Sequence, residues 1–92
     1  MTNLRKLARG QECQIRGPGC SFDNEQTVLC HLTIPGISGM GMKAPDICGA
    51  WGCGPCHDLI DGRTPPGDTD LTQLKLEGLL RTLHQLDKQG YL

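Results

Sequence analysis

The stretch Cys53-Gly54-Pro55-Cys56-His57-Asp58-Leu59-Ile60-Asp61 constrains this chain more than any other. Two cysteines separated by two residues chelate one metal, because the tight turn between them brings both thiolates to one side of the backbone. Gly54 and Pro55 suit that turn. A redox role for the same pair would need a long strand leading into Cys53, and the sequence supplies none. A second pair, Cys13 and Cys20, brackets the forced turn Gly17-Pro18-Gly19. Their gap is longer than in most zinc knuckles. Taken together, the two pairs give four thiolates, the number and softness that structural zinc prefers.

Length makes such a metal matter. At 92 residues, with one Trp, one Tyr and one Phe against thirteen glycines and six prolines, the chain is near the size where a hydrophobic core alone becomes marginal. Six cysteines also fit a secreted disulfide scaffold, but Met1-Thr2-Asn3-Leu4-Arg5 opens no signal peptide and no apolar run is long enough to span a membrane. The expectation is a cytosolic chain with reduced thiols.

The formal net charge of −1 argues against a strongly basic coat, the usual footprint of a tight non-specific nucleic-acid binder. Distribution matters more than the sum. Residues 1–20 carry Arg5, Lys6, Arg9 and Arg16 against Glu12 alone, so a basic amino-terminal arm can meet phosphates; a solvated charged end explains the same residues equally well.

Read in order, Leu4 to Ala8 forms one or two helical turns stopped by Gly10, and Cys13-Gln14-Ile15-Arg16 reads as a short extended piece. Residues 21–26 are polar loop. Thr27 to Ile34, rich in β-branched and apolar residues and ended by Pro35-Gly36, is a strand with Val28, Cys30, Leu32 and Ile34 on one face and Leu29, His31 and Thr33 on the other. A strand histidine is more often packed or solvated than catalytic. The segment from Gly36 to Pro45 lacks the spacing of a phosphate-binding P-loop and reads as a mobile connection; Lys43 in it is more simply a solvated lysine than a phosphate contact. Asp46 to Gly52 is the returning strand, carrying Trp51 inward. Cys30 and Cys48 read as small buried apolar residues.

A knuckle helix then runs from Pro55 to Asp61, with His57 and Asp61 four residues apart and so on one face. Asp70 is a good N-cap with Gln73 three residues on, opening a helix whose Leu71, Leu74, Leu76, Leu79, Leu80, Leu83 and Leu86 form a broad apolar stripe, ended near Gly90. It covers the core. His84 on its polar edge receives no role.

A strand histidine, a Gly-rich connection, an acidic residue and Cys-x-x-Cys-His opening a helix resemble the HNH, or ββα-metal, nucleases. The resemblance is closer to the YbcO-like family of small phage and prophage proteins regarded as nucleases. It is carried by Arg9-Gly10-Gln11-Glu12-Cys13-Gln14-Ile15-Arg16, Cys20, His31-Leu32, Lys43-Ala44-Pro45-Asp46 and Cys53 to Asp61, most of residues 5–63. It implies an α+β fold: one zinc-stabilised HNH-like domain over 1–92, with a hairpin and short helix in a core of residues 10–63 and a covering helix over 70–90.

The implied activity is metal-dependent hydrolysis of DNA phosphodiester bonds. By the resemblance, His31 is the general base, Asp46 the residue that orients it, and His57 a ligand of a catalytic magnesium or manganese ion, with Asp61 as a second ligand from the same helix face. Cys13, Cys20, Cys53 and Cys56 bind structural zinc. Cys30 stands where related nucleases often have a hard ligand, and Asp46 lies two residues upstream of the common asparagine position, which Cys48 occupies. Expected partners are DNA, and either a second copy of the chain or phage recombination proteins, in the host cytoplasm and without a membrane. Two other readings stand: a non-catalytic zinc module binding nucleic acid or protein, and a zinc site in which His57 joins Cys53 and Cys56.

Overall fold

The computed structural model describes residues 3–32 and 44–91. The expected Gly-rich connection as far as Lys43, and the predicted strand end at Thr33 and Ile34, therefore lie outside the described residues. Helix α1 (Leu4–Ala8) is capped by Asn3, whose side chain accepts hydrogen bonds from the amides of Arg5 and Lys6. Strand β1 (Val28–His31) pairs antiparallel with β2 (Gly49–Gly52), setting Leu29 opposite Trp51, Cys30 opposite Ala50 and His31 opposite Gly49. Helix α2 (Gly54–Ile60) follows β2 after Cys53 alone, and α3 (Leu71–Lys88) comes last. The result is a small α+β fold built on a two-stranded hairpin.

Two expected extended pieces are not strands. Asp46–Cys48 is a 3-10 turn, so the returning strand starts only at Gly49. Hydrogen bonds from the Leu32 amide to Cys48 O (3.0 Å) and from the Cys48 amide to Pro45 O (2.9 Å) hold that turn beside the end of β1. The Cys13–Arg16 stretch bends, with Arg16 at φ 54°. Cys48 is only half-buried, whereas Cys30 is fully buried as expected.

Alternation along the hairpin divides the interior in two. Cys30 and Ala50 face a cluster with Cys13, Ile15, Cys53 and Cys56. Trp51, one residue on, faces the other way, among Ala8, Leu86 and the partly buried Leu4, Leu7, Leu29 and Leu83. All four residues of β2 are buried, so the hairpin is covered on both sides, by the cysteine loops and by the helices.

Helix α3 does not use its leucine stripe as predicted. Its buried line is Gly78, Thr82 and Leu86, while Leu76 and Leu80 are more than half exposed. The cause is a close approach of backbone to backbone. Thr82 Oγ1 accepts the Trp51 amide at 3.0 Å and donates to Gly78 O at 2.8 Å, satisfying an outward-facing group of β2. A Cβ on Gly78 would stand 3.0 Å from Ile15 Cγ1 and 3.3 Å from Ile15 Cα. Small residues let the helix settle there. Its end matches the sequence: Gly90 at φ 86° lets the Tyr91 amide reach Leu86 O at 2.8 Å, with the Gly90 amide on Asp87 O.

Candidate functional site

The four cysteines of the two pairs come together. Their sulfurs all lie within 4.8 Å of one another, and Cys20 Sγ and Cys53 Sγ are 3.6 Å apart. A tetrahedral zinc with Zn–S bonds of about 2.3 Å would separate its sulfurs by about 3.8 Å, so the donor set fits a metal ion such as zinc. Cys13, Cys53 and Cys56 are buried and Cys20 is half-buried. His57 is not among these donors.

Hydrogen bonds and burial act on these four sulfurs in opposing directions, lowering Cys13 and Cys53 and raising Cys20 and Cys56. The Arg16 amide donates to Cys13 Sγ at 3.5 Å. Arg16 and Phe22 both adopt positive φ, and each immediately follows its cysteine's turn. The hydrogen bond from Cys56 pulls the Cys13 thiol down to about 4, against its burial and with help from the Arg16 amide. Cys56 is pushed up in consequence, since it supplies the shared proton. Cys30 is a different kind of thiol: burial pushes it up to about 12, and it lies against Val28 O and Gly52 O.

At the other end of β1 lies a second cluster. His31 Nε2 is 2.7 Å from Asp46 Oδ1, and the same oxygen accepts from Arg5 Nε at 3.2 Å. The hydrogen bond to His31, with the Arg5 contact, holds the Asp46 carboxyl below its ordinary range despite some desolvation. An ionised Asp46 only accepts, so His31 must donate from Nε2 and keep Nδ1 as its basic nitrogen. The fold sets this geometry: α1 packs against β1 and the 46–48 turn, bringing Arg5 across 41 positions of sequence. Arg5 was visible only as part of a basic arm. Nothing in its spacing pointed to Asp46.

His57 and Asp61 occupy successive turns of α2, joined by the Asp61 amide to His57 O at 3.0 Å. His57 is half-buried. The Asp61 carboxylate pairs with Arg63 at 3.3 Å, and Arg63 also reaches Asp58. Among the described residues the four cysteines are the one group of three or more close His, Cys, Asp or Glu donors, so no third side chain joins His57 and Asp61.

Comparison with known proteins identifies the family of the chain. The family model described as "Putative nuclease YbcO" matches residues 2–91. The chain belongs to the YbcO family. Relatives named "Putative nuclease YbcO" in Escherichia coli (strain K12) and "Putative nuclease ybcO" in Enterobacteria phage 82 are each 45% identical over 84 residues, covering 89% of this chain and 88% of theirs. A solved structure described as "Structure of a putative bacteriophage protein from Escherichia coli str. K-12 substr. MG1655" is 39% identical with a TM-score of 0.77, over 96% of this chain and all of that one. Family members thus carry the nuclease name in both phage and bacterium. Among the described residues of this member, no helix is long and apolar enough to cross a membrane.

Proposed function

We propose that this YbcO-family chain is an HNH-type endonuclease of phage origin that hydrolyses DNA phosphodiester bonds, acting as one domain in the host cytoplasm. The observation that carries the proposal is the 2.7 Å contact between His31 and Asp46, in a hairpin that runs directly into a Cys-x-x-Cys-His helix. His31 Nδ1 takes a proton from the attacking water, while Asp46 fixes the ring through Nε2 and stabilises the imidazolium that forms. Arg5 keeps Asp46 in place. Cys13, Cys20, Cys53 and Cys56 hold structural zinc and tie the amino-terminal loop to the start of α2.

His57 and Asp61 are the residues that would hold a catalytic magnesium or manganese ion, the remaining positions falling to water and substrate oxygens. Such an ion, when bound, polarises the scissile phosphate and supports charge on the leaving oxygen. Asp61 would have to share its carboxylate with, or release it from, Arg63.

The test is a cleavage assay on single-stranded, duplex and branched DNA with magnesium or manganese. His31→Ala should abolish cutting without unfolding the protein, a loss of about 10²–10⁴-fold for a general base. His57→Ala should also weaken dependence on the added ion, and His84→Ala should do neither. Wild-type protein that cuts none of these substrates favours the competing reading, a zinc-stabilised binding module for nucleic acid or phage recombination proteins. The net charge of −1 and the Asp61–Arg63 pair are what favour that alternative.

A further inference from the structure

The chain's single phenylalanine is 74% exposed. Phe22 sits at φ 53°, a conformation an aromatic residue seldom takes. Two residues after Cys20, its ring stands outside the cysteine cluster. Arg16, also at positive φ, lines the same open cleft of about 390 Å³ together with Glu12, Cys13 and Asn24. Its Nε is spent on Cys13 O at 3.3 Å, and among the described residues its terminal amino groups have no partner. A second cleft of about 450 Å³ has Glu12 and Asn24 in common with the first.

That second cleft is lined by amides: Gln11, Gln14, Asn24, Gln85 and Gln89, beside Lys88. Gln14 is only 3% exposed, its Nε2 donating to Glu12 O at 3.2 Å. Among the described residues its Oε1 accepts no hydrogen bond. An acceptor without a partner among the described residues, on a side chain that lines the cleft, is available to a ligand's donor. Phe22 offers a flat apolar face, Arg16 and Lys88 offer cations, and the amides and Glu12 offer partners for the edges of a planar heterocycle.

We infer that these two neighbouring clefts bind an unpaired stretch of nucleic acid, with one nucleobase stacked on Phe22, its phosphate near Arg16, and the adjacent nucleotide's edge on Gln14 and its neighbouring amides. The mode differs from duplex binding, which needs a basic coat this chain does not have. The inference deepens the nuclease proposal by naming single-stranded segments as the part of the substrate that is held. It rests on that reading for its biological sense, but binding is measurable without cutting.

The experiment is fluorescence anisotropy of zinc-loaded full-length protein with a labelled single-stranded oligonucleotide and with the blunt duplex of the same sequence, in buffer without magnesium or manganese. Wild type should bind the single strand more tightly. Phe22→Ala should weaken that binding about tenfold and Phe22→Trp should retain it, with zinc content and circular dichroism unchanged. Arg16→Ala should lower the salt dependence by about one phosphate contact, whereas Phe22→Ala should leave the salt slope alone.

Equal single-strand affinity for wild type and Phe22→Ala, or no single-strand binding by wild type, overturns the inference. So does sedimentation showing that Phe22→Ala breaks a dimer without changing affinity, since the ring then meets a second copy. The two proposals separate cleanly. Cleavage with Phe22-independent binding sinks only the stacking site, and Phe22-dependent binding without cleavage sinks only the nuclease.

Discussion

His31 and Asp46 are fifteen residues apart in sequence and 2.7 Å apart in space, with Arg5 on the same carboxylate oxygen. Under the nuclease proposal the three form a chain of orientation ending at His31 Nδ1. Asp46→Ala should therefore lower kcat with little effect on KM, and Asp46→Asn, which still offers an oxygen to Nε2, should lose less. The Arg5–Asp46 pair is exposed and screened by solvent, so breaking it should cost little stability. Arg5→Ala should accordingly leave the unfolding midpoint nearly unchanged while reducing kcat. A kcat equal to wild type in both alanine variants would remove Asp46 and Arg5 from the mechanism.

The same contact has a pH signature. Asp46 ionises more readily in the fold than in the unfolded chain, chiefly because His31 hydrogen-bonds it. Its contribution to stability is therefore fully present above the ordinary aspartate range and is lost as the pH falls through the lower, folded value. A carbon-detected NMR titration should place the Asp46 midpoint below that of a free aspartate, and in His31→Ala it should move back up. A midpoint unchanged by His31→Ala would show that the histidine is not the cause.

Much of the site was legible because it is local. The Cys53–Cys56 spacing, the helix that follows, the Asp70 cap and the Gly90 stop all express interactions within a few residues, and the structure has each of them. The strand residues Asp46 to Cys48 misled because Ile47 and Cys48 look extended, whereas the amide of Cys48 is claimed by Pro45. The leucines of α3 misled for a related reason. Periodicity identifies an apolar face but not the depth of approach, which here is set by Gly78 and Thr82 meeting β2. Arg5 was out of reach altogether, since its partner is fixed only by tertiary packing.

Zinc content gives a direct check on the cysteine group. Freshly purified, reduced protein should carry about one zinc per chain, as four thiolates complete one tetrahedral set. Cys53→Ala or Cys56→Ala should lose that zinc and unfold at far lower denaturant, because metal binding in so small a domain is a large share of folding energy. Cys48→Ala, at a half-buried position outside the group, should stay within about 0.5 kcal/mol of wild type and keep its zinc. Cys30→Ala should also keep its zinc, with a modest loss of packing. Equal midpoints across all four variants, or no zinc by elemental analysis, would contradict the assignment.

Thr82 offers a test of the fold that is independent of any metal. Its hydroxyl is the partner that the Trp51 amide finds on the open side of β2, and the site is buried. Thr82→Val keeps the shape but leaves that amide without an acceptor, a cost of about 1–3 kcal/mol. Thr82→Ser keeps the hydroxyl and gives up one methyl, a cost of about 0.8 kcal/mol. For a chain of this size each kcal/mol is worth about 4–8 °C in Tm, so calorimetry resolves the two variants. The valine variant should melt lower than the serine variant. The reverse order would mean that α3 is held against the hairpin by the packing of its methyl group, and that the hydrogen bond to Trp51 contributes little.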